Sequence, residues 1–340
     1  MNDMIDMNMP PHGANPDKLY RFFGIEMPER ILDFSVNANV LEWDGSWDFP
    51  IKDRLSNYPD DECLRVRELI ASSEGCSIDN VLVTNGSNEG IYLIASHFSG
   101  RRASFMDPLY SEYRRAAHAY GVIEVQSDNR PDLFFICNPC NPTGDYIDGR
   151  DMKRIVSSHR ETLFAVDEAY IDFLRRDEKK PLRPAEHPNL IILRSLTKIY
   201  HLSGARIGYL LASEEWVRRL RARQPSWSVN SLAQAAAVRF LEDGDFVPRT
   251  RSFYAAETPR FMSSLAAAGF EMAPSKTNFF IIRVRDDAET IAALLRRGII
   301  VRHTRNFKGL DGKWIRVATR TPEDNDCFVE SITEESRRRS

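Results

Sequence analysis

The chain of 340 residues contains the stretch Leu190-Ile191-Ile192-Leu193-Arg194-Ser195-Leu196-Thr197-Lys198. Its first four residues form an apolar run of the kind found in buried strands, and two hydroxyl side chains and a lysine follow it. Arg206 comes eight residues after that lysine, within Gly204-Ala205-Arg206-Ile207-Gly208. The stretch therefore predicts a strand that delivers Lys198 to the edge of a sheet.

These side chains suit a cofactor that carries both an aldehyde and a phosphate. A lysine in a desolvated, partly cationic pocket loses its proton readily and can form a Schiff base with an aldehyde. Ser195 and Thr197 can donate hydrogen bonds to phosphate oxygens, and the planar guanidinium of Arg206 can pair with phosphate. The natural candidate is pyridoxal 5'-phosphate. On this segment alone, an ordinary solvated junction between strand and loop is the alternative.

Six further apolar runs have a similar character, and several of them lack the polar alternation of a half-exposed strand. They are Asn80–Thr84, Ala103–Met106, Val122–Val125, Leu133–Cys137, Leu163–Val166 and Ile207–Leu211. Helix-like polar segments separate many of them. This pattern predicts an α/β fold with a mainly parallel seven-stranded sheet.

The character of the chain changes after about residue 227. Helices are predicted at Ser231–Leu241, Pro248–Ala268 and Ala288–Arg297, and strands at Asn278–Ile282 and Trp314–Val317. We therefore predict an N-terminal arm and joining segment, a large cofactor-binding domain, and a smaller α+β domain at the C-terminus. Their predicted bounds are 1–44, 45–226 and 227–340.

Ligands of such a sheet gather at the carboxyl ends of the strands, so the loops there are expected to share one site. Ser87 and Asn88 open a helical run, where free backbone N–H groups favour a phosphate. Tyr110 can stack on a flat heteroaromatic ring. The rigid loop Cys137-Asn138-Pro139-Cys140-Asn141-Pro142-Thr143-Gly144 leaves the Asn141 amide free for a ligand. Plain turn chemistry and core packing are the alternatives for the first two loops.

An acid follows the predicted strand Leu163–Val166 directly. A carboxylate at the end of a buried strand is costly unless it is paired, and a pyridinium nitrogen is a suitable partner for Asp167. Tyr170 lies three residues further along the chain and can reach the ring hydroxyl. A helix-capping aspartate is the alternative at this position.

Together these five loops resemble those of pyridoxal-phosphate enzymes with the aminotransferase fold (fold type I, class I and II), over nearly the whole chain. The resemblance implies that Lys198 forms the Schiff base, that Asp167 pairs with the pyridine nitrogen, and that Tyr170 and Asn141 contact the ring oxygen. It also implies that Tyr110 stacks on the ring. The implied phosphate ligands are Ser87, Asn88, Ser195, Thr197 and Arg206.

The same resemblance implies an obligate homodimer. In this family the tyrosine that matches Tyr58, in Asn57-Tyr58-Pro59-Asp60, reaches the cofactor phosphate of the neighbouring subunit. We therefore expect each site to be completed by a second copy of the chain.

Within that fold the chain is most similar to the histidinol-phosphate aminotransferase group and, inside it, to the threonine-phosphate decarboxylases of cobalamin biosynthesis. The strings that carry this likeness are His12-Gly13-Ala14-Asn15, Leu32-Asp33-Phe34-Ser35-Val36-Asn37-Ala38-Asn39, Trp227-Ser228-Val229-Asn230, Val301-Arg302-His303, Gly309-Leu310-Asp311 and Arg316-Val317-Ala318. Two departures are visible. The decarboxylases typically show His-Gly-Gly-Asn in the first string, and the aminotransferases carry Asp-Glu where this chain has Asn88-Glu89.

The resemblance also implies where a phosphorylated substrate binds. It places His12, Asn39 and Arg302 near the substrate phosphate and Arg316 near the carboxylate or its surroundings, while Asn141 faces both cofactor and substrate. The alternative is that the two arginines are ordinary edge-strand residues of the small domain. The roles of two more cations stay open, namely Lys308 and Lys313.

The expected activity is the decarboxylation of O-phospho-L-threonine to (R)-1-aminopropan-2-yl phosphate for cobalamin biosynthesis. Transamination of histidinol phosphate and decarboxylation of O-phosphoserine are the alternatives. The same catalytic residues serve each reaction, because the Cα bond that stands perpendicular to the cofactor ring is the one that breaks. Substrate orientation therefore decides the outcome.

Composition limits the other possible roles. Lys and Arg number 46 against 49 Asp and Glu, for a net charge of −3, so neither nucleic acid nor a membrane is an expected partner. No apolar run approaches the ~20 residues of a membrane span, and the start lacks signal-peptide features, so we expect a cytoplasmic enzyme.

The chain has five cysteines, and an odd number in a long chain argues against a framework of disulfides and for reduced thiols. Cys137 and Cys140 form a C-x-x-C pair, but no second pair has matching spacing, so no metal is expected.

Overall fold

The computed structural model describes residues 9–11, 13–175, 177–178, 182–310 and 312–339. Its strands are β1 (Leu32–Asp33), β2 (Val81–Thr84), β3 (Arg102–Phe105), β4 (Ile123–Glu124), β5 (Leu133–Cys137), β6 (Leu163–Asp167), β7 (Leu190–Ser195), β8 (Gly208–Leu211), β9 (Phe279–Arg283), β10 (Ile299–Ile300), β11 (Arg302–His303) and β12 (Trp314–Ala318). Its α-helices are α1 (Pro16–Phe23), α2 (Ile51–Ser56), α3 (Leu64–Glu74), α4 (Gly86–His97), α5 (Glu112–Ala119), α6 (Gly149–Ser158), α7 (Leu196–Ile199), α8 (Glu214–Arg221), α9 (Ser231–Glu242), α10 (Phe246–Ala267), α11 (Asp287–Leu295) and α12 (Pro322–Arg339).

The large sheet contains seven strands in the order β2-β8-β7-β6-β5-β3-β4. Strand β8 runs antiparallel to both of its neighbours, and the other neighbouring strands are parallel. Each of the seven apolar runs forms one of these strands. The prediction of an α/β fold with a mainly parallel seven-stranded sheet is therefore confirmed.

Strand β7 shows why these runs lack polar alternation. Leu190 and Ile192 pack in one hydrophobic cluster with residues of α3 and α9, and Ile191 and Leu193 pack in another with residues of α4 and α5. All four side chains are at most 1% exposed. Helices cover both faces of the strand, so every position is apolar until the chain reaches the carboxyl edge.

A smaller antiparallel sheet, in the order β11-β12-β9, follows in the C-terminal part of the chain. Helices α10, α11 and α12 contribute to the hydrophobic cluster around it. Strand β1 pairs in parallel with β10, which joins the beginning of the chain to this region. Strands β1, β10 and β11 were not expected from the sequence, because two residues are too few to show a periodic pattern.

Pro10, Pro11 and Tyr20 are tied to the same region. The ring nitrogen Nε2 of His303 lies 2.8 Å from the Pro10 carbonyl oxygen, and the Arg302 guanidinium donates to the Pro11 carbonyl. The Tyr20 hydroxyl donates to the Leu295 carbonyl at 3.0 Å. From this anchor the chain runs through β1 toward the carboxyl ends of the large sheet.

The five cysteines are unpaired in the structure. Across the described ranges, no helix has the length and apolar content needed to cross a membrane. Within the same ranges, no three His, Cys, Asp or Glu side chains are grouped so that they could hold a metal ion.

Candidate active site

A cavity of about 320 Å³ lies between the carboxyl ends of the large sheet and the small sheet. Most of the predicted site residues line it, namely Ser87, Asn88, Tyr110, Asn141, Asp167, Tyr170, Ser195, Thr197, Lys198, Arg206, Arg302 and Arg316. We call its two walls the sheet side and the arm side. The sheet side consists of Ser87, Asn88, Tyr110, Asp167, Ser195, Thr197, Lys198 and Arg206. The arm side consists of Ser35, Asn37, Arg302 and Arg316.

Lys198 lies on α7, the four-residue helix that follows β7 directly. Its side chain is partly buried at the cavity. Burial and then the positive charges of Arg316 and Arg206 lower the pKa of Lys198 to about 8, while Asp167 acts in the opposite direction. The neutral amine is the form that attacks an aldehyde, so these surroundings prepare Lys198 for Schiff-base formation.

Asp167 is the last residue of β6 and is 4% exposed. The Tyr113 hydroxyl donates to Oδ2 at 2.7 Å, and the Ala169 backbone N–H donates to Oδ1 at 3.0 Å. Burial raises the pKa of Asp167, and no lysine, arginine or histidine of the described residues forms an ion pair with it. A buried acid of this kind fits a cationic ring nitrogen in the cavity.

Two glycines allow the sheet side to close around an anion. A Cβ atom on Gly86 would lie 2.6 Å from Nη2 of Arg206, and one on Gly208 would lie 2.6 Å from the backbone nitrogen of Ser87. Gly86 also has a φ of 71°, which favours glycine. The N-terminus of α4 and the guanidinium can therefore approach each other closely, which is the geometry of a phosphate site.

The hydroxyls predicted from the sequence complete this anion site. Oγ of Ser195 lies 2.7 Å from Oγ1 of Thr197, and both residues line the cavity. The exposed Arg206 donates to the Ser203 carbonyl at 3.1 Å, and it forms no ion pair with any described residue. Hydroxyls, helix N–H groups and a guanidinium are the donors that a phosphate group needs. The residues present therefore fit a cofactor that carries a phosphate.

The arm side holds two buried arginines. Arg316 is 6% exposed and donates to Oδ1 of Asn141 at 2.6 Å and to the Ser35 carbonyl at 2.7 Å. Arg302 is 4% exposed and donates to Oδ1 of Asn306 at 2.7 Å as well as to the arm. Burial lowers the pKa of both, and Arg316 lowers that of Arg302 further.

Every acceptor recorded for these two arginines is a neutral oxygen. Among the described residues, neither Arg302 nor Arg316 has a carboxylate partner. A buried charge without a counter-charge is costly, and an anion in the cavity would remove that cost. The arm side is thus prepared for one or two anionic groups.

The structure does not bring Asn39 into the cavity. Its side-chain Nδ2 donates to the Ile199 carbonyl at 3.0 Å and to the Thr250 hydroxyl at 2.9 Å, and its Oδ1 accepts from the Leu41 N–H at 3.0 Å. Its backbone N–H donates to the Lys198 carbonyl at 2.8 Å. Asn39 therefore holds helix α7 in place and does not line the cavity, and its contact with a substrate phosphate stays a prediction.

Three other predicted residues also lie away from the cavity within the single chain. Tyr58 is 82% exposed, and its ring packs against Trp227 at a centroid distance of 4.8 Å. Nζ of Lys308 lies 3.6 Å from a carboxylate oxygen of Asp107, and Lys313 is exposed. The predicted substrate ligand His12 lies outside the described residues.

Sequence reasoning missed several buried residues that line the cavity, among them Asn37 and Tyr113. Asn37 lies two residues before Asn39, and its Nδ2 donates weakly to the Tyr170 hydroxyl at 3.5 Å while its Oδ1 has no partner in the described structure. If the segment were extended, residues two apart would point to the same side, so the sequence alone could not choose between the two asparagines. Tyr113 follows Tyr110 by three residues, and that helical spacing was the available signal.

A larger cavity of about 690 Å³ lies on the other side of α7, where Leu196 and Tyr200 contribute to its lining. Its charged groups pair with one another. Arg251 donates to Asp172 at 3.0 Å, and Arg175 lies 3.4 Å from Asp177. Size alone would favour this cavity, but the smaller one contains the lysine with the lowered pKa and two buried arginines that have no carboxylate partner among the described residues, so we assign the active site there.

Comparisons with known proteins agree with this geometry. The family model for aminotransferase class I and II matches residues 122–332. Threonine-phosphate decarboxylase from Salmonella typhimurium is 30% identical, over 94% of this chain and 95% of its own length. Histidinol-phosphate aminotransferase from Methanothermobacter thermautotrophicus is 33% identical, over 82% of this chain and 81% of its own. The crystal structure of histidinol-phosphate aminotransferase from Clostridium acetobutylicum matches with a TM-score of 0.84 at 25% identity, over 91% of this chain and 100% of that one.

Proposed function

This chain belongs to the aminotransferase class I and II family, and we propose that it decarboxylates O-phospho-L-threonine. The product is (R)-1-aminopropan-2-yl phosphate, and the proposed context is cobalamin biosynthesis in the cytoplasm. The similarity to threonine-phosphate decarboxylase over nearly the full length supports this choice.

Pyridoxal 5'-phosphate is the cofactor, as expected from the sequence. When bound, it supplies an aldehyde and an electron-accepting ring. We propose that Lys198 is its covalent attachment point, that Asp167 holds the ring nitrogen, and that Tyr110 stacks on the ring. Tyr170 and Asn141 are the proposed contacts of the ring oxygen. The proposed phosphate ligands are Ser87, Asn88, Ser195, Thr197 and Arg206.

The observation that carries the proposed substrate is the pair of buried arginines without carboxylate partners in the described structure. O-phospho-L-threonine bears a phosphate and a carboxylate on one small molecule, which matches two guanidinium groups in one cavity wall. Histidinol phosphate bears a phosphate but no carboxylate, and in its transamination the carboxylates belong to the second substrate, 2-oxoglutarate. We assign the substrate phosphate to Arg302 and the carboxylate to Arg316.

The residues of the chain then decide which bond breaks. Arg316 contacts both Asn141 and the Ser35 carbonyl, so its guanidinium is fixed before substrate arrives. Arg316 would hold the substrate carboxylate beside the bound cofactor, whose ring would accept the electron pair left at Cα when CO₂ departs. The amine of Lys198, with its lowered pKa, can carry the proton that replaces the carboxylate at Cα.

Transamination of histidinol phosphate is the second candidate, and the likeness to histidinol-phosphate aminotransferases favours it. That reaction would use the same lysine and aspartate, but Lys198 would remove the proton from Cα and the carboxylate would not be lost. O-phosphoserine is a further candidate for decarboxylation. It lacks one methyl group, a difference that a pocket discriminates by about 1–3 kcal/mol.

We also propose a homodimer in which Tyr58 reaches the cofactor phosphate of the partner. Large apolar side chains are exposed along this part of the chain, including Trp47, Ile51, Leu55 and Trp227, which are 50% to 69% exposed. Such a patch is typical of a surface that another chain covers. Light scattering should give twice the chain mass for the native protein, and Leu55→Asp should reduce it. A monomeric native protein that retains full activity would contradict this proposal.

The activity can be tested by incubating the purified protein, loaded with pyridoxal phosphate, with each candidate substrate. O-phospho-L-threonine alone should release CO₂, and histidinol phosphate with 2-oxoglutarate should yield no glutamate. O-phosphoserine in a parallel reaction measures how well the pocket discriminates the methyl group. Glutamate formation without CO₂ release would instead support the aminotransferase.

A further inference from the structure

A buried tyrosine, Tyr113 on α5, contacts the acid at the centre of the sheet side. It is fully buried, and its hydroxyl donates to Oδ2 of Asp167 at 2.7 Å. The Ala169 backbone N–H donates to the other oxygen at 3.0 Å. Two donors therefore fix both oxygens of the carboxylate, and neither of them is charged.

Aromatic packing fixes the ring of Tyr113. It stacks on Phe135 with a centroid distance of 5.2 Å and an interplanar angle of 8°, and Phe135 stacks in turn on Phe105 at 5.8 Å. The ring of Tyr110 contacts that of Tyr113 edge to face, with a centroid distance of 5.8 Å and an interplanar angle of 88°. Tyr113 thus contacts both the acid and the predicted stacking residue, so its position determines where the cofactor ring can lie.

The hydrogen bond also affects ionisation. Burial raises the pKa of Asp167, and donation from Tyr113 is the first influence that opposes it. Burial and the nearby Asp167 charge hold the pKa of Tyr113 well above its ordinary value. The phenol therefore keeps its proton and acts as a donor toward Asp167. A hydrogen bond to the charged form of an acid favours that form.

We propose that Tyr113 is a positioning residue, which keeps Asp167 ionised and oriented toward the ring nitrogen of the cofactor. The proposal rests on the proposed cofactor site and holds for either candidate reaction. An ionised Asp167 keeps the ring nitrogen protonated, and the protonated ring is the stronger electron acceptor. Tyr113 thereby sets both cofactor affinity and the pH range in which the cofactor stays bound.

Tyr113→Phe removes one oxygen atom and leaves the aromatic stack in place. Titration of cofactor-free protein with pyridoxal phosphate, followed by absorbance, should show a Kd about tenfold higher than that of the native chain. The pKa of Asp167 should rise without the donor. The pH below which the protein no longer binds the cofactor should therefore be higher in the variant. Tyr209→Phe is the matched control, because the Tyr209 hydroxyl donates to Glu74 at 2.8 Å outside this cavity.

An Asp167→Asn background separates positioning from general packing. If Tyr113 acts through the carboxylate, Tyr113→Phe should change the Kd by less than about twofold in that background. The proposal would be overturned if Tyr113→Phe raised the Kd equally in the native and Asp167→Asn backgrounds. It would also be overturned if Tyr113→Phe had the Kd of the native chain. A failure of the cofactor site itself is recognised separately, because Lys198→Ala would then bind pyridoxal phosphate as the native chain does.

Discussion

The sheet side and the arm side of the cavity are built in different ways. On the sheet side, Asp167 ends β6, Ser195 ends β7, and Lys198 follows three residues later. On the arm side, Arg316 of the small sheet meets the carbonyl of Ser35, which lies 281 positions earlier. The first wall follows from local sequence, whereas the second exists only after distant segments meet. We infer that the sheet side supplies chemistry common to the family and that the arm side selects the substrate.

The strongest test of this division removes the central group of the sheet side. Lys198→Ala should abolish the visible absorbance of bound cofactor after dialysis and lower turnover by at least about a thousandfold. The reason is that Lys198 is the proposed anchor of the aldehyde and the proposed carrier of the proton. Lys308→Ala is the matched control, because this exposed lysine pairs with Asp107 outside the cavity. A Lys198→Ala protein that stays yellow would refute the assignment of the lysine.

Changes on the arm side should leave the cofactor in place. Arg302→Met and Arg316→Met each remove hydrogen bonds to a substrate anion, so KM should rise about 10- to 100-fold. The absorbance of bound cofactor should stay close to that of the native protein. Steady-state kinetics with O-phospho-L-threonine gives both KM and kcat. Loss of cofactor in these variants would contradict the separation of the two walls.

A third test measures how the two walls influence each other. Burial, Arg316 and Arg206 favour the neutral form of Lys198, so its pKa lies near 8 and the neutral fraction falls as pH decreases below that value. The rate at which cofactor-free protein reacts with pyridoxal phosphate should therefore show a midpoint near pH 8. Arg316→Gln removes a positive neighbour and should shift the midpoint upward by about one pH unit. An unchanged midpoint would show that the arm side does not act on the lysine.

The smallest effects should separate two buried asparagines that lie two residues apart. Asn39→Ala removes bonds to Ile199 and Thr250, so the free energy of unfolding should fall by about 2 kcal/mol. Asn37→Ala should cost less than about 1 kcal/mol, because its amide makes only a 3.5 Å bond to Tyr170. Of the two variants, only Asn37→Ala should change KM, by several-fold, because only Asn37 lines the cavity. Chemical denaturation and kinetics on the two variants measure both quantities.

These two asparagines also mark how far the sequence could predict the site. The seven strands were predicted correctly, because buried strands have local patterns, and the residues predicted at the ends of these strands line one cavity. Ser35 and Asn37 line the cavity but were not predicted to do so, whereas Asn39, a predicted substrate ligand, does not line it. Their positions depend on the pairing of β1 with β10 and on contacts with Thr250 and Arg316, which no local pattern encodes.

Tyr113 illustrates a second limit. Its hydroxyl donates to Asp167, which lies 54 positions later in the chain. The sequence showed an aromatic residue one helical turn after Tyr110, which is equally typical of core packing. Only the fold reveals that this ring contacts the acid of the sheet side.

The central claim is that the arm side directs the shared chemistry toward loss of the carboxylate. It is tested most directly with O-phospho-L-threonine labelled with ¹³C at the carboxyl carbon, mixed with 2-oxoglutarate and the cofactor-loaded protein, and followed by NMR. We expect the label to appear in CO₂ and bicarbonate, with no glutamate formed. Label retained in a 2-oxo acid, with glutamate accumulating in equal amount, would contradict the account.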